Sequence, residues 1–389
     1  LFPSILIPIV LISVSVGKRC ANDHGLIGTC KLPWQCSSLK TQLANKQHPN
    51  MCGFDNVIGV PIICCAFGDE PDDQTTSTTD ESHGFDFDDP TGDFLKKYIL
   101  WQCAEYKKLT KSSVAAVLPL AIDSEPESLL LENCPQNSVS LIVGGKEAVL
   151  NEFPHMVALG YKNRGRLTYN CGGTLISENF VLTAAGTVDF GDIIDEYSSI
   201  TMLDDGASPV DVRVERTTVH PDYRDDQKYN DIALVRLERE VSFSNSVRPA
   251  CLHQQRDLSR SELPVATGWG TTDYGGKRSD TLLKVGLSVI NNTLCNRLYD
   301  KERRTAGSLE RGIAESMLCA GKLEGGKDTC LGDSGGPLGI PHPDSKCQHY
   351  IVGITSFGKV CGQENSPGVY TRVSSYLPWI ENIVWNGQQ

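Results

Sequence analysis

The chemistry legible in this chain starts at a serine set among glycines, Gly332-Asp333-Ser334-Gly335-Gly336-Pro337. Glycines let the backbone approach a substrate closely and turn N–H groups toward an oxygen that gains negative charge. A serine held this way is a nucleophile for acyl transfer, but near neutral pH its hydroxyl is weak and needs an adjacent base. Gly-x-Ser-x-Gly alone is a weak signal. The six residues together, followed by the strand-like run Tyr350-Ile351-Val352-Gly353-Ile354-Thr355-Ser356-Phe357-Gly358, are a strong one. Histidine is the usual base, and the chain has eight: His24, His48, His83, His155, His220, His253, His342 and His349.

The elements that must position Ser334 begin near Ile142. From there the chain is a series of short β-branched runs separated by Gly, Pro and Asn, such as Met156-Val157-Ala158-Leu159, Ile232-Ala233-Leu234-Val235 and Ile351-Val352-Gly353-Ile354. This pattern predicts an all-β barrel or sandwich. Tyr376 to Trp385 reads as a short C-terminal helix.

At 389 residues the chain has room for two folded units with a linker. Residues 1–17 read as the apolar region of an N-terminally truncated signal peptide, too short to span a bilayer. Fifteen cysteines on such a chain imply a disulfide framework in an oxidising compartment, hence a secreted, extracellular protein. Cys20, Cys30, Cys36, Cys52, Cys64 and Cys65 fall within 46 residues. So small a unit needs disulfides to hold it, in a connectivity that spacing alone does not choose.

The net charge is −12, but ten acidic residues and no Lys or Arg lie between Gly68 and Leu95. The acidity is therefore that of a solvated linker and not of a folded surface. Nothing resembles a nucleotide loop, a nucleic-acid patch, a membrane span or a metal site, and no cofactor is implied. Asn291-Asn292-Thr293 is a glycosylation sequon at Asn291.

Residues 142–385 resemble a complete chymotrypsin-like serine protease domain. The six-cysteine unit ahead of it, ending in a Cys-Cys doublet, makes the whole chain similar to the arthropod clip-domain serine proteases. The resemblance implies a two-barrel antiparallel domain with a C-terminal helix at 142–389, a clip domain at 20–65, and an acidic linker and activation segment at 66–141. Residue by residue, it makes Ser334 the nucleophile, the N–H groups of Gly332 and Ser334 the oxyanion hole, and Asp231 the carboxylate that orients the base. Ser356 and Gly358 match the strand edge that pairs with substrate. Asp328, six residues before Ser334, matches the floor of the primary pocket, and Gly358 and Gly368 match its walls. A carboxylate under an open slot favours Arg or Lys before the scissile bond. Leu141-Ile142-Val143-Gly144-Gly145 matches the zymogen cleavage site. Cutting after Leu141 frees the Ile142 amine, which in the family pairs with the carboxylate matching Asp333.

One position departs. After Val181-Leu182-Thr183-Ala184-Ala185 the family pattern continues His-Cys, and here it continues Gly186-Thr187. The base is absent from its place, and His155 and His220 match positions that are non-catalytic in the family. The lost cysteine at 187 leaves Cys171 unpaired. The other pairings the resemblance implies are Cys20–Cys64, Cys30–Cys52, Cys36–Cys65, Cys134–Cys251, Cys295–Cys319 and Cys330–Cys361, with Cys103 and Cys347 left to pair with each other. Two origins of the clustered change at 186–187 stay open: a protease homologue that lost its base, or a coding sequence misread over that stretch. The resemblance implies a zymogen of an endopeptidase in Toll-type signalling or innate immunity. Its partners would be an upstream protease cutting after Leu141, a downstream protease zymogen and a serpin-type inhibitor. As written the chain should be catalytically impaired. The alternative is a non-catalytic homologue that binds or regulates.

Overall fold

The computed structural model describes residues 19–21, 27–31, 36, 51–55, 60–66, 99, 102–116, 127–132, 146–163, 166–188, 199–202, 210–259, 262–271, 276–326, 329–330, 332–343 and 345–385. The signal segment, the acidic run, the activation residues 141–145, Cys134 and Asp328 lie outside them. The contacts divide the chain into two compact units, residues 1–95 with 381–389, and residues 96–380.

The first unit carries a four-stranded antiparallel sheet in the order Arg19–Ala21, Ile27–Lys31, Val60–Ala66, Met51–Asp55. Its described apolar core is cysteine: Cys30, Cys36 and Cys65 are buried. Cys36 is bonded to Cys65, and Cys20 and Cys30 are also in disulfides. So few residues bury too little surface to stay folded without such bonds.

In the second unit the strands Met156–Asn163, Arg166–Leu175, Phe180–Thr183, Ser199–Met202, Val210–Val219 and Ala233–Leu237 close into an antiparallel barrel. Its core is aliphatic, with Val157, Leu175, Val181, Ala233 and Val235 almost fully buried. A second, curled sheet of nine strands follows, centred on Met317–Gly321, Gly368–Arg372, Ser345–Phe357, Pro337–His342 and Val265–Gly268. Leu338, Val352 and Tyr370 fill its core. The helix Leu377–Val384 follows the last strand. The fold is thus the all-β, two-barrel class with a C-terminal helix.

The segment expected to be a linker has structure of its own. Residues 102–108 are helical, with Ile99, Cys103 and Tyr106 buried. Lys111–Ala116 pairs with Glu127–Glu132. Cys103 is bonded to Cys251, with Cα atoms 5.2 Å apart. This corrects two pairings, Cys134–Cys251 and Cys103–Cys347. The apolar positions 99, 103 and 106 follow helical spacing, which turns Cys103 inward with Ile99 and Tyr106. Tyr106 packs edge-on against Phe243 at 5.7 Å. Cys347 is also in a disulfide.

His349, on the strand Ser345–Phe357, is buried beside Phe153 at 5.0 Å and His155 at 5.3 Å between ring centroids. Burial, and then the nearby Arg248 and Lys284, hold its imidazole down to about 4. An unfolded histidine titrates near about 6.5. Between those values the unfolded chain binds a proton that the folded chain refuses, so stability falls as pH falls through that window. The contribution of this one group is about 3 kcal/mol at pH 4. Urea unfolding at pH 7 and pH 4.5 should show this loss, and His349→Gln should show a shallower one. An equal slope in the variant would contradict the assignment.

Candidate active site

Ser334 is clamped between the two sheets. Its carbonyl accepts from Gly172 N (2.9 Å), on the closed barrel. Gly335 N donates to Thr355 O (2.8 Å), and Thr355 N donates to Gly336 O (2.9 Å), on the second sheet. The loop needs its glycines. Gly335 has φ +81°, and a Cβ there would lie 2.2 Å from Thr183 Oγ1 and 2.5 Å from Gly172 O. No substituent fits both that backbone and that space. Ser334 itself is half-buried. Among the described residues neither its hydroxyl nor the N–H groups of Gly332 and Ser334 have a hydrogen-bond partner.

Asp231 is buried and held by the second sheet and by a short helix that follows a barrel strand. Its Oδ1 accepts the Gly186 N–H at 2.8 Å. Its Oδ2 accepts the Ser356 hydroxyl. Its carbonyl accepts Thr371 Oγ1 at 2.7 Å. The preceding Asn230 adopts φ +54°. Its amide donates to Asp222 O and its Oδ1 accepts from Tyr376 Oη, both at 2.9 Å. Asparagine tolerates this left-handed turn better than most residues. The bend it makes sends the next carboxylate inward.

Gly186 lies in the short helix Ala185–Val188, beside Asp231. A Cβ added at Gly186 would meet only two atoms of the described residues within 4 Å, Tyr223 Oη at 3.2 Å and Asp231 Oδ1 at 3.6 Å. The Asp231 carboxylate lies beside position 186, and that position carries no side chain. Gly335 links the two halves, because its would-be Cβ lies 3.2 Å from Thr187 Cγ2.

Thr187 is fully packed where the family places a cysteine. Its hydroxyl donates to Ala184 O (2.6 Å) and meets Thr183 Oγ1 at 3.1 Å. Thr183 Oγ1 donates to Gly172 O (2.9 Å). Tyr161 Oη donates to Thr187 O (2.5 Å) and also bonds the thiol of Cys171. Cys171 is free, and burial pushes its thiol up, so it is protonated and a poor nucleophile. Threonine and tyrosine hydroxyls thus satisfy the polar groups around the missing disulfide.

Asp333 turns away from the cleft. Its two oxygens accept Gly270 N and Cys330 N, both at 2.8 Å. A Cβ on Gly268 or Gly270 would strike it, at 2.1 and 2.5 Å. Burial pushes its carboxyl above the ordinary value. Among the described residues, a Cβ at Gly358 would approach only Gly368 Cα, at 4.0 Å. Cys295–Cys319 and Cys330–Cys361 are bonded. Asn291 caps the helix Asn292–Leu298 through Oδ1, 2.8 Å from Leu294 N, so its Nδ2 is not used by the cap. Among the described residues no cluster of side chains could hold a metal ion, and no helix is long and apolar enough to cross a membrane.

Two contributors to the site carry no motif of their own. Tyr223 is recognised only by its contacts. Arg278 lies over Gly332 and bonds Tyr169 O and, at 2.7 Å, Asn170 Oδ1.

A serine loop clamped between two antiparallel barrels, with an inward carboxylate beside it, defines a serine protease fold of the chymotrypsin class. The trypsin family profile matches residues 142–380, and the chain belongs to that family. Serine protease snk of Drosophila melanogaster is 37% identical over 386 residues, covering 95% of this chain and 79% of that protein. Venom serine protease Bi-VSP of Bombus ignitus is 37% identical, covering 94% and 92%. CLIP domain-containing serine protease B4 of Anopheles gambiae is 33% identical, covering 73% and 81%. The similarity extends through the N-terminal unit, as it does for arthropod clip-domain trypsin-like proteases.

Thr187→Cys should pair with Cys171. A bridge closing a loop of this size adds about 3 kcal/mol, or roughly 6–12 °C in a domain of this length. Maleimide labelling of Cys171 in the denatured, unreduced chain should be lost in the variant, and its Tm should rise. Persistent labelling of Cys171 in the variant would contradict the arrangement.

Proposed function

We propose that the protein is a secreted clip-domain zymogen of a trypsin-like endopeptidase in an extracellular proteolytic cascade, catalytically impaired in this sequence. Cleavage after Leu141 activates it, and its cleft takes Arg or Lys chains over Asp328. The observation that carries the impairment is the Gly186 N–H on Asp231 Oδ1 at 2.8 Å, with no side chain behind it to act on Ser334. In a comparable triad, loss of the histidine alone costs about 10⁶ in turnover.

The freed Ile142 amine would exchange with the backbone N–H groups that now hold Asp333. That carboxylate is disfavoured by burial, and a paired ammonium relieves the cost. The Cys103–Cys251 bond joins a residue before the cleavage site to one after it, so the N-terminal segment stays attached. Leu141 points to an upstream activator that prefers an apolar residue. Downstream partners on this reading are a protease zymogen and a serpin-type inhibitor.

The same glycine favours a second reading, a non-catalytic homologue that holds a cascade protease or substrate in the intact cleft. Both readings keep the pocket and lose the turnover. The chain cleaved between Leu141 and Ile142 should bind benzamidine, an amidinium of arginine-like charge, in a calorimeter. It should not hydrolyse a histidine-free Arg peptide above the blank. Ready hydrolysis would contradict the impairment, and absence of benzamidine binding would contradict the pocket.

A further inference from the structure

A side chain at Gly186 would start between Tyr223 Oη, 3.2 Å from its Cβ, and Asp231 Oδ1, 3.6 Å away, in a hollow that borders the carboxylate. Asp231 accepts one hydrogen bond on each carboxylate oxygen, from Gly186 N and from Ser356. Each oxygen has a second lone pair to offer an imidazole N–H. Among the described residues only Tyr223 Oη and Asp231 Oδ1 approach the Cβ position within 4 Å. The nucleophile loop meets the same short helix through Gly335 and Thr187. Ser356 and Thr355, adjacent on one strand, fix the carboxylate and the nucleophile loop respectively. Asp231 thus has lone pairs to offer an imidazole beside position 186, and among the described residues no imidazole lies there.

We propose that this hollow accepts an imidazole from outside the chain, namely the histidine side chain of a bound peptide, so that the protein acts on peptides that carry histidine next to the arginine or lysine in the pocket. The inference rests on the reading of the cleft as trypsin-like. The peptide imidazole takes the Ser334 hydroxyl proton as Oγ bonds to the carbonyl carbon and the carbonyl electron pair moves onto oxygen. The pair returns, the C–N bond breaks, and the imidazolium gives its proton to the leaving amine nitrogen. Water then adds to the acyl carbon and gives its proton to the imidazole. Collapse expels Ser334 Oγ, which takes that proton back, and the acid product is released. A histidine on the acyl side stays through both halves, whereas one on the amine side leaves with the first product. The residue before the arginine is therefore the position that should support turnover. Discrimination comes from the substrate, and a cascade zymogen without that histidine would be bound and spared.

The test uses the full chain cleaved between Leu141 and Ile142, with two peptide amides alike except for His or Ala before the Arg. Gly186→His and Ser334→Ala serve as controls. The His peptide should be cleaved about 10²-fold faster than the Ala peptide. Free imidazole should raise the rate on the Ala peptide, and Ser334→Ala should abolish both effects. If the two peptides react alike and imidazole does nothing, while Gly186→His cleaves both, the inference is overturned and the trypsin-like reading stands. If Gly186→His, folded by its thermal transition, is inert on both, the trypsin-like reading falls and takes the inference with it.

Discussion

A buried carboxylate must be paid for with donors, and Asp231 collects them from a short helix and from the curled sheet. The Gly186 N–H comes from the short helix that follows a barrel strand, the Ser356 hydroxyl comes from the curled sheet, and Thr371 of the same sheet holds the Asp231 backbone carbonyl. Losing either carboxylate donor would leave a charge under-satisfied in a low-dielectric seam. The seam is also where Gly172 and Thr355 clamp the Ser334 loop. One constraint therefore fixes the approach of the barrels and the position of the nucleophile. It involves no atom of the histidine side chain that the family places here, so the site can keep its shape after the base is lost.

Thr187 makes the loss tolerable. A cysteine partner removed from Cys171 would leave a gap between the barrel wall and the nucleophile loop. Thr187, Thr183 and Tyr161 fill it with a chain of hydrogen bonds that ends on Gly172 O and on the Cys171 thiol. Satisfied polar networks of this kind hold a local arrangement well. The two adjacent positions thus differ: Gly186 offers no side chain beside Asp231, and Thr187 stands in a polar network.

The fold class was readable because strand periodicity survives in single runs. Met156–Leu159 and Ile351–Ile354 fall within observed strands, and most of the 232–235 run does as well. Ser334 was readable because its glycines answer to a backbone demand, visible in the φ of Gly335 and the space around it. Asp231 and Gly186, 45 residues apart, were brought together on paper only by resemblance, and the 2.8 Å bond supplies the physical link. The Cys103–Cys251 bond was missed because the resemblance assigned Cys134 to Cys251. The spacing of Ile99, Cys103 and Tyr106 carried the helical signal that would have placed Cys103 inward. Tyr223 and Arg278 left no signal, since their roles come from contacts across the fold.

The central claim is that Asp231 stands ready to orient a base at position 186. The most direct measurement is an NMR titration of the imidazole introduced by Gly186→His, with and without Asp231→Asn. The account predicts an imidazole pKa raised about one unit or more above the ordinary value of about 6.5, returning toward it when the carboxylate becomes an amide. An ordinary pKa that ignores Asp231→Asn would contradict it.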